Sequence, residues 1–140
     1  MSTLRHDGGC HCGAVRWSFE SRLPLPQFAP RACDCDFCTR HRAAWVSDAD
    51  GSLQLRDADG QMRRYRQGSG QADFMFCGRC GVLVGVVCPD DHGMLRGAVN
   101  RNGFDERHLL GDEVVASPQR LAPEAKRTRW SQLWTPTRLA

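Results

Sequence analysis

The sequence predicts a mostly β fold in a single domain covering residues 1–140. Short segments alternate apolar and polar residues, as half-buried strands do, and only a few short stretches have helical spacing. The 14 glycines and 7 prolines favour many turns. Hydrophobic residues make up 41% of the chain and charged residues 25%, which is ordinary for a globular protein with its own core.

The amino-terminal part is predicted to supply one strand and one loop. Residues 1–9 are expected to be a flexible lead ending in two glycines. A strand is predicted at 14–20, where every second residue from Val15 to Phe19 is apolar. Three prolines between Leu23 and Pro30 exclude a central strand or a helix interior, so an extended loop is expected there.

The middle of the chain is predicted to hold most of the sheet. Segments 53–56 and 61–66 flank an Asp-Ala-Asp-Gly turn and form a hairpin candidate. A strand at 72–76 precedes a Cys-Gly-Arg-Cys turn. The run Val82–Cys88 is the most apolar of the chain, which predicts a buried central strand, with Gly85 marking a bulge or a close backbone approach.

The last third has weaker patterns. A further strand is predicted at 94–99 and a last short one around Val114 and Val115. Segment Pro123–Trp134 is predicted to be helical, because proline can open a helix and the last apolar residues follow at i, i+3 and i+4. We expect the tail 111–140 to dock on the rest, with its tryptophans packing rather than binding a ligand.

Seven of the eight cysteines fall into tight groups. The outer two pairs, called the four-cysteine cluster below, are Cys10, Cys12, Cys77 and Cys80. The central group, called the three-cysteine cluster, is Cys33, Cys35 and Cys38. No signal peptide is expected, so the cytoplasm, where thiols stay reduced, is the predicted compartment. Metal ligation is therefore favoured over disulfides, and a bridge within Cys-x-Cys would be strained.

The two clusters predict two zinc sites of different kinds. Zinc prefers four tetrahedral ligands and binds thiolates well. Two pairs that are distant in sequence usually build a closed structural site, so the four-cysteine cluster is predicted to hold a structural zinc. Such a site contributes on the order of 10 kcal/mol to folding. The three-cysteine cluster is one ligand short, as a catalytic zinc site is.

Spacing alone leaves open whether the second site is open or closed. His41 lies three residues after Cys38, and Cys88 could arrive from elsewhere; either would supply a fourth ligand. Cys88 is also typical of a small buried hydrophobe, since its strand is apolar. An open site would hold a substrate thiolate or polarise a small carbonyl compound, and Arg40 and His41 are candidates to contact substrate carboxylates.

The charge balance argues against nucleic acid as a partner. Seven thiolates subtract seven charges and two zinc ions add four, which brings the formal charge of +3 to zero. No apolar run approaches ~18 residues, so no membrane span is expected. The oligomeric state is not indicated by any pattern.

Three motifs resemble the glutathione-dependent formaldehyde-activating enzyme family, which also includes centromere protein V. They are Cys10-His-Cys-Gly-Ala-Val-Arg16, Cys33-x-Cys-x-x-Cys38 and Phe76-Cys-x-x-Cys-Gly81. The resemblance runs from about residue 6 to about residue 110. It implies an Mss4-like fold, in which twisted antiparallel sheets are joined by a structural zinc. It also implies two zinc ions per chain, a structural one on the four-cysteine cluster and a catalytic-type one on the three-cysteine cluster.

The resemblance further implies a zinc-dependent carbon–sulfur lyase, with a small thiol and an aldehyde as its partners. The substrate pair that the resemblance favours is glutathione and formaldehyde, which combine to form S-hydroxymethylglutathione. The alternative is a non-catalytic zinc-stabilised binding module whose second site is closed by His41 or Cys88. Whether purified protein keeps the second zinc is left open by the sequence.

Overall fold

The computed structural model describes residues 2–140 and is built mostly of strands, as the sequence predicts. The strands are β1 Leu4–Gly9, β2 Val15–Ser21, β3 Arg31–Cys33, β4 Ala44–Val46, β5 Ser52–Asp57, β6 Met62–Tyr65, β7 Asp73–Cys77, β8 Leu83–Pro89, β9 Leu95–Asn100, β10 Val114–Ala116 and β11 Thr135–Leu139. The α-helices are α1 Asp36–His41 and α2 Pro123–Leu133. None of the helices within residues 2–140 is long and apolar enough to cross a membrane.

The strands form a mixed, branched sheet. Its main path is β1-β2-β5-β11-β9-β4-β3-β10, and β6, β7 and β8 join it through β9. Most neighbours are antiparallel, as predicted, but β10 runs parallel to β3 and β11 runs parallel to β5. Strand β9 pairs with β8 on one edge and with β11 and then β4 on the other, so it connects the two halves.

The buried strands follow their sequence patterns. In β2 the side chains of Val15, Trp17 and Phe19 are fully buried, which confirms the predicted inward face. In β8 six consecutive residues are buried, as expected for a central strand covered on both faces. The pairing of β7 with β8 shifts register beside Gly85, after its pair with Met75, and a Cβ atom at Gly85 would lie 3.1 Å from the Ala98 carbonyl oxygen. Gly85 therefore marks both a bulge and a close approach.

The predicted flexible lead is wrong, because Leu4–Gly9 forms β1. This strand pairs antiparallel with β2 over its whole length. The two glycines are needed for packing: a Cβ atom at Gly8 would lie 2.4 Å from the Trp17 ring, and one at Gly9 would lie 2.3 Å from the Val15 carbonyl oxygen. A polar strand at a sheet edge lacks the apolar alternation by which strands are recognised.

The predicted hairpin of 53–56 with 61–66 is also wrong. Strand β5 pairs with β2 and β11, whereas β6 pairs with β7. In the turn between them the Asp57 carboxylate accepts hydrogen bonds from the backbone N–H groups of Gln61 and Met62, in place of a ladder between β5 and β6. The strand at Val114–Ala116 is present but is not the last, because β11 follows α2.

The buried side chains form two clusters, and each adjoins one group of cysteines. The first surrounds Trp17, Phe19 and Phe104 and includes Cys10 and Cys77. The second is formed by Cys33, Cys38, Ala43, Trp45, Ala72, Phe74, Leu83, Val86, Cys88, Ala98 and Trp134. The two groups of thiols are therefore built into separate parts of the core.

Candidate metal centres and an adjoining cavity

The four-cysteine cluster is assembled by two turns that are far apart in sequence. Cys10 and Cys12 lie in the turn between β1 and β2, while Cys77 ends β7 and Cys80 lies in the turn before β8. The Sγ atom of Cys12 is 3.7 Å from those of both Cys10 and Cys77. Backbone N–H groups point at the sulfurs: Val15 donates to Cys10 Sγ at 3.3 Å.

These distances fit a metal site. They are far longer than the S–S bond of about 2.0 Å in a disulfide. Four sulfurs placed tetrahedrally around an ion at about 2.3 Å, the usual zinc–sulfur distance, lie about 3.8 Å apart. All four Sγ atoms are within 4.8 Å of one another, so the cluster could hold one thiophilic ion.

The three-cysteine cluster is formed where β3 passes into α1. Cys33 ends β3, Cys35 is the N-cap of α1, and Cys38 lies in the first turn of that helix. The backbone N–H of Cys38 donates to Cys35 Sγ at 3.4 Å, so the Cys35 side chain caps the first turn of the helix. The three Sγ atoms lie within 4.8 Å of one another and could hold a second ion.

The thiols of this cluster differ in acidity. A hydrogen bond from the Cys38 thiol lowers the pKa of Cys33 to about 6. The same contact with Cys33, together with burial, raises the pKa of Cys38 well above its usual value. Burial raises the pKa of Cys35 as well. The protein geometry therefore favours one thiolate at neutral pH, and a bound cation would favour the other two.

A cavity of about 260 Å³ opens beside the three-cysteine cluster, and all three cysteines line it. Aromatic rings form much of the wall: Trp45, Phe74, Trp130 and Trp134. Polar side chains of Gln67, Ser69 and Gln119 also line it. Another hollow, of about 380 Å³, lies against β2, β5 and β11, but no cysteine or histidine lines it. The first cavity is therefore lined by a group of cysteines that could hold a metal ion together.

Three cations also line this cavity: Arg31, Lys126 and Arg129. Arg31 is half-buried, and its guanidinium donates to Ser47 Oγ at 2.7 Å. Burial, followed by repulsion from Arg129, lowers the pKa of Arg31 to about 10. This value still leaves Arg31 charged at neutral pH, so the cavity carries positive charge next to its thiols.

Comparison with known proteins assigns the family. A profile of the family described as glutathione-dependent formaldehyde-activating enzyme matches residues 5–123. The chain belongs to this family. A crystal structure of a Rhodobacter sphaeroides protein is also similar, with 27% sequence identity and a TM-score of 0.55. That alignment covers 79% of this chain and 99% of the other one.

Both groups of cysteines lie within the residues that the profile of the glutathione-dependent formaldehyde-activating family matches. The match ends at residue 123, where α2 begins. Helix α2 supplies one wall of the cavity, through Lys126, Arg129, Trp130 and Leu133. This wall therefore lies beyond the residues by which the family is recognised.

Three residues singled out in the sequence are placed away from the cavity or play another part. Arg40 is exposed and pairs with Asp36 at 3.0 Å, and neither Arg40 nor His41 lines the cavity. His41 is exposed and packs on the Phe37 ring. The Cys88 thiol points to the Gln71 carbonyl oxygen at 3.4 Å. Neither His41 nor Cys88 joins the three sulfurs, so the geometry gives no support to a second site closed by either residue.

The sequence missed the cavity-lining cations. Arg31, Lys126 and Arg129 belong to none of the motifs from which the site is predicted. A signal was present in α2, because residues 126, 129, 130 and 133 follow i, i+3, i+4 and i+7 and share one helical face. The two tryptophans of the tail do pack, with rings stacked at 4.7 Å, but they also form part of the cavity wall.

Proposed function

We propose that this protein is a zinc-dependent enzyme that joins a thiol to a small aldehyde at the three-cysteine cluster. The observation that carries the proposal is that three thiols, one short of a tetrahedral set, line a cavity of about 260 Å³. The four-cysteine cluster lines none of the cavities described above and is proposed to hold the structural zinc. Thiolate donors suit zinc at both sites.

Glutathione and formaldehyde are the proposed pair, because the description of the family names both. In the addition a bond forms between the thiol sulfur and the aldehyde carbon, the C=O double bond becomes a single bond, and the thiol proton ends on the aldehyde oxygen. The product is S-hydroxymethylglutathione, and the reverse reaction is that of a carbon–sulfur lyase. A zinc ion at the three-cysteine cluster would supply a fourth coordination position for the substrate sulfur.

The protein positions the three thiols and shields them from water. Helix α1 fixes the spacing of Cys35 and Cys38, and β3 holds Cys33 beside them, so the three donors are in position before substrate binds. The rings of Trp45 and Phe74 reduce the water around the reacting sulfur, and this strengthens electrostatic interactions there.

The test compares two cysteine variants. Zinc per chain is measured by elemental analysis in the wild type, in Cys35→Ala and in Cys88→Ala, and the exchange of glutathione with its formaldehyde adduct is followed by NMR with the uncatalysed rate subtracted. We expect two zinc ions in the wild type and in Cys88→Ala, but about one in Cys35→Ala, which stays folded and loses the catalysed exchange.

Two results would contradict the proposal. If Cys35→Ala unfolds the chain, the three-cysteine cluster is structural. If the wild type with two zinc ions does not accelerate the exchange, glutathione and formaldehyde are not its substrates. Cys88→Ala is the matched control because Cys88 is a buried thiol outside both clusters.

A further inference from the structure

The cavity beside the three-cysteine cluster has positive charge that no carboxylate balances. Within residues 2–140, Arg31, Lys126 and Arg129 take part in none of the ion pairs closer than 4.0 Å. Asp36 is the one acidic side chain in the described lining, and it pairs with Arg40. A half-buried arginine without an acidic partner is costly unless a ligand supplies the missing charge.

The three cations come from two separate elements that meet at the cavity. Arg31 lies in β3, two residues before Cys33, whereas Lys126 and Arg129 lie on α2. The Lys126 ammonium group faces the loop between β6 and β7, since it would lie 3.7 Å from a Cβ atom placed at Gly68. The fold therefore brings the charges of a strand and of a distant helix to one space.

The other arginine of the same helix has a carboxylate partner in the protein. Arg127, two residues before Arg129, pairs with Asp91 at 2.7 Å and does not line this cavity. The comparison shows that α2 directs one arginine to a carboxylate of the protein and another to the cavity. A ligand carboxylate would complete the second arrangement, since a guanidinium binds it through two parallel hydrogen bonds.

We propose that Arg31, Lys126 and Arg129 form an anion subsite that selects thiol substrates carrying a carboxylate group. The inference rests on the proposed function and specifies its substrate class. The sulfur end of the ligand lies at the three cysteines, and its apolar chain crosses the aromatic wall. The carboxylate reaches the cations. The family profile matches residues 5–123, so Lys126 and Arg129 lie outside the matched part of the chain. The proposed selection of a carboxylate therefore depends in part on residues that the profile does not cover.

The test measures binding rather than turnover. Zinc-loaded wild type, Arg129→Ala and Arg127→Ala are titrated with 3-mercaptopropionate and with its uncharged methyl ester, and the quenching of tryptophan fluorescence is recorded. Arg129→Ala is expected to weaken binding of 3-mercaptopropionate by about tenfold or more, as the loss of a charged hydrogen bond does. It is expected to leave binding of the ester unchanged, and Arg127→Ala is expected to alter neither ligand.

Two outcomes would overturn the subsite. If Arg129→Ala weakens both ligands equally, its charge merely balances the thiolates of the metal site. If it weakens neither, the cavity does not recognise the carboxylate. Arg129 is exposed, so its replacement is not expected to disturb folding, and thermal unfolding with zinc analysis verifies this.

Failure of the subsite and failure of the proposed function are distinguishable. Propionate, which has no sulfur, is expected to compete with 3-mercaptopropionate in the wild type and about tenfold less well in Arg129→Ala. If this holds but no glutathione exchange is catalysed, the subsite stands and the reaction is wrong. If exchange is catalysed with the same KM for glutathione in Arg129→Ala, the reaction stands and the subsite is wrong.

Discussion

Phe104 is a single residue on which much of the first core cluster depends. It lies after β9, in a segment without strand or helix periodicity, yet its side chain is fully buried. Its ring packs edge-on against Trp17 at 5.5 Å and against Phe19 at 6.3 Å. The backbone of Phe104 also bridges to Gly8 of β1. This one side chain therefore ties the end of β9 to the first two strands.

Replacing Phe104 with alanine is expected to lower the free energy of unfolding by about 3–5 kcal/mol, because it removes a large ring and leaves a cavity. Leu109→Ala is the control: this side chain is 41% exposed and lies in a nearby turn, so its loss should cost about 0.5 kcal/mol or less. Urea unfolding of the zinc-loaded variants measures both values. Equal losses would mean that the cluster does not depend on Phe104.

For single residues, the sequence predicts which cysteines are grouped together, but it does not predict which other side chains surround them. The seven clustered cysteines are recognisable because metal ligands must come from short turns with fixed spacing. The position of Arg31 in the cavity follows from how β3 faces α2, which are about a hundred residues apart in the chain. No local pattern carries such information, just as none marks Phe104.

Among the secondary-structure elements, strand β11 is one that the sequence pattern does not predict. It fills the gap between β5, to which it runs parallel, and β9, to which it runs antiparallel. Thr135 and Thr137 are buried, and the Ala140 N–H donates to the Leu55 carbonyl oxygen at 2.8 Å. Pro136 and two threonines give a short segment little strand signal, and the choice of partners is non-local.

Deleting residues 135–140 is expected to destabilise the protein and to promote its aggregation, because edges of β5 and β9 would lose their backbone partners. Removing Ser2 and Thr3, which precede β1, is the matched control and should change little. Thermal unfolding followed by light scattering measures both effects. A carboxy-terminal deletion that melts like the wild type would contradict the structural part assigned to β11.

At the scale of the whole molecule, the two groups of thiols are expected to have different relations to folding. The four-cysteine cluster joins the turn before β2 to the turn before β8, and its Cys12 and Cys77 sulfurs are separated by 65 positions in sequence. A metal ion bound there would close a long loop and stabilise the folded state strongly. The three-cysteine cluster lies within one short segment, so a metal ion bound there would restrain little of the chain.

Chelation should therefore remove the zinc ions in two steps. The ion at the three-cysteine cluster is expected to leave first, because it has one protein ligand fewer and is therefore bound more weakly. Its loss is expected to leave the far-ultraviolet circular dichroism unchanged. The second ion is expected to leave together with the folded structure. Zinc release to a coloured indicator, recorded alongside the dichroism during a titration with chelator, separates the two steps.

Cys35→Ala is the control for the order of zinc release. This variant should lack the first release step and show only the second, which accompanies unfolding. If the first ion released from the wild type coincides with unfolding, the two clusters have the reverse roles or act as one cooperative unit. If zinc leaves the wild type in two steps and Cys35→Ala in one, the three-cysteine cluster is not needed for folding and the four-cysteine cluster is. The cavity chemistry could then be altered by mutation while the β framework around it stays intact.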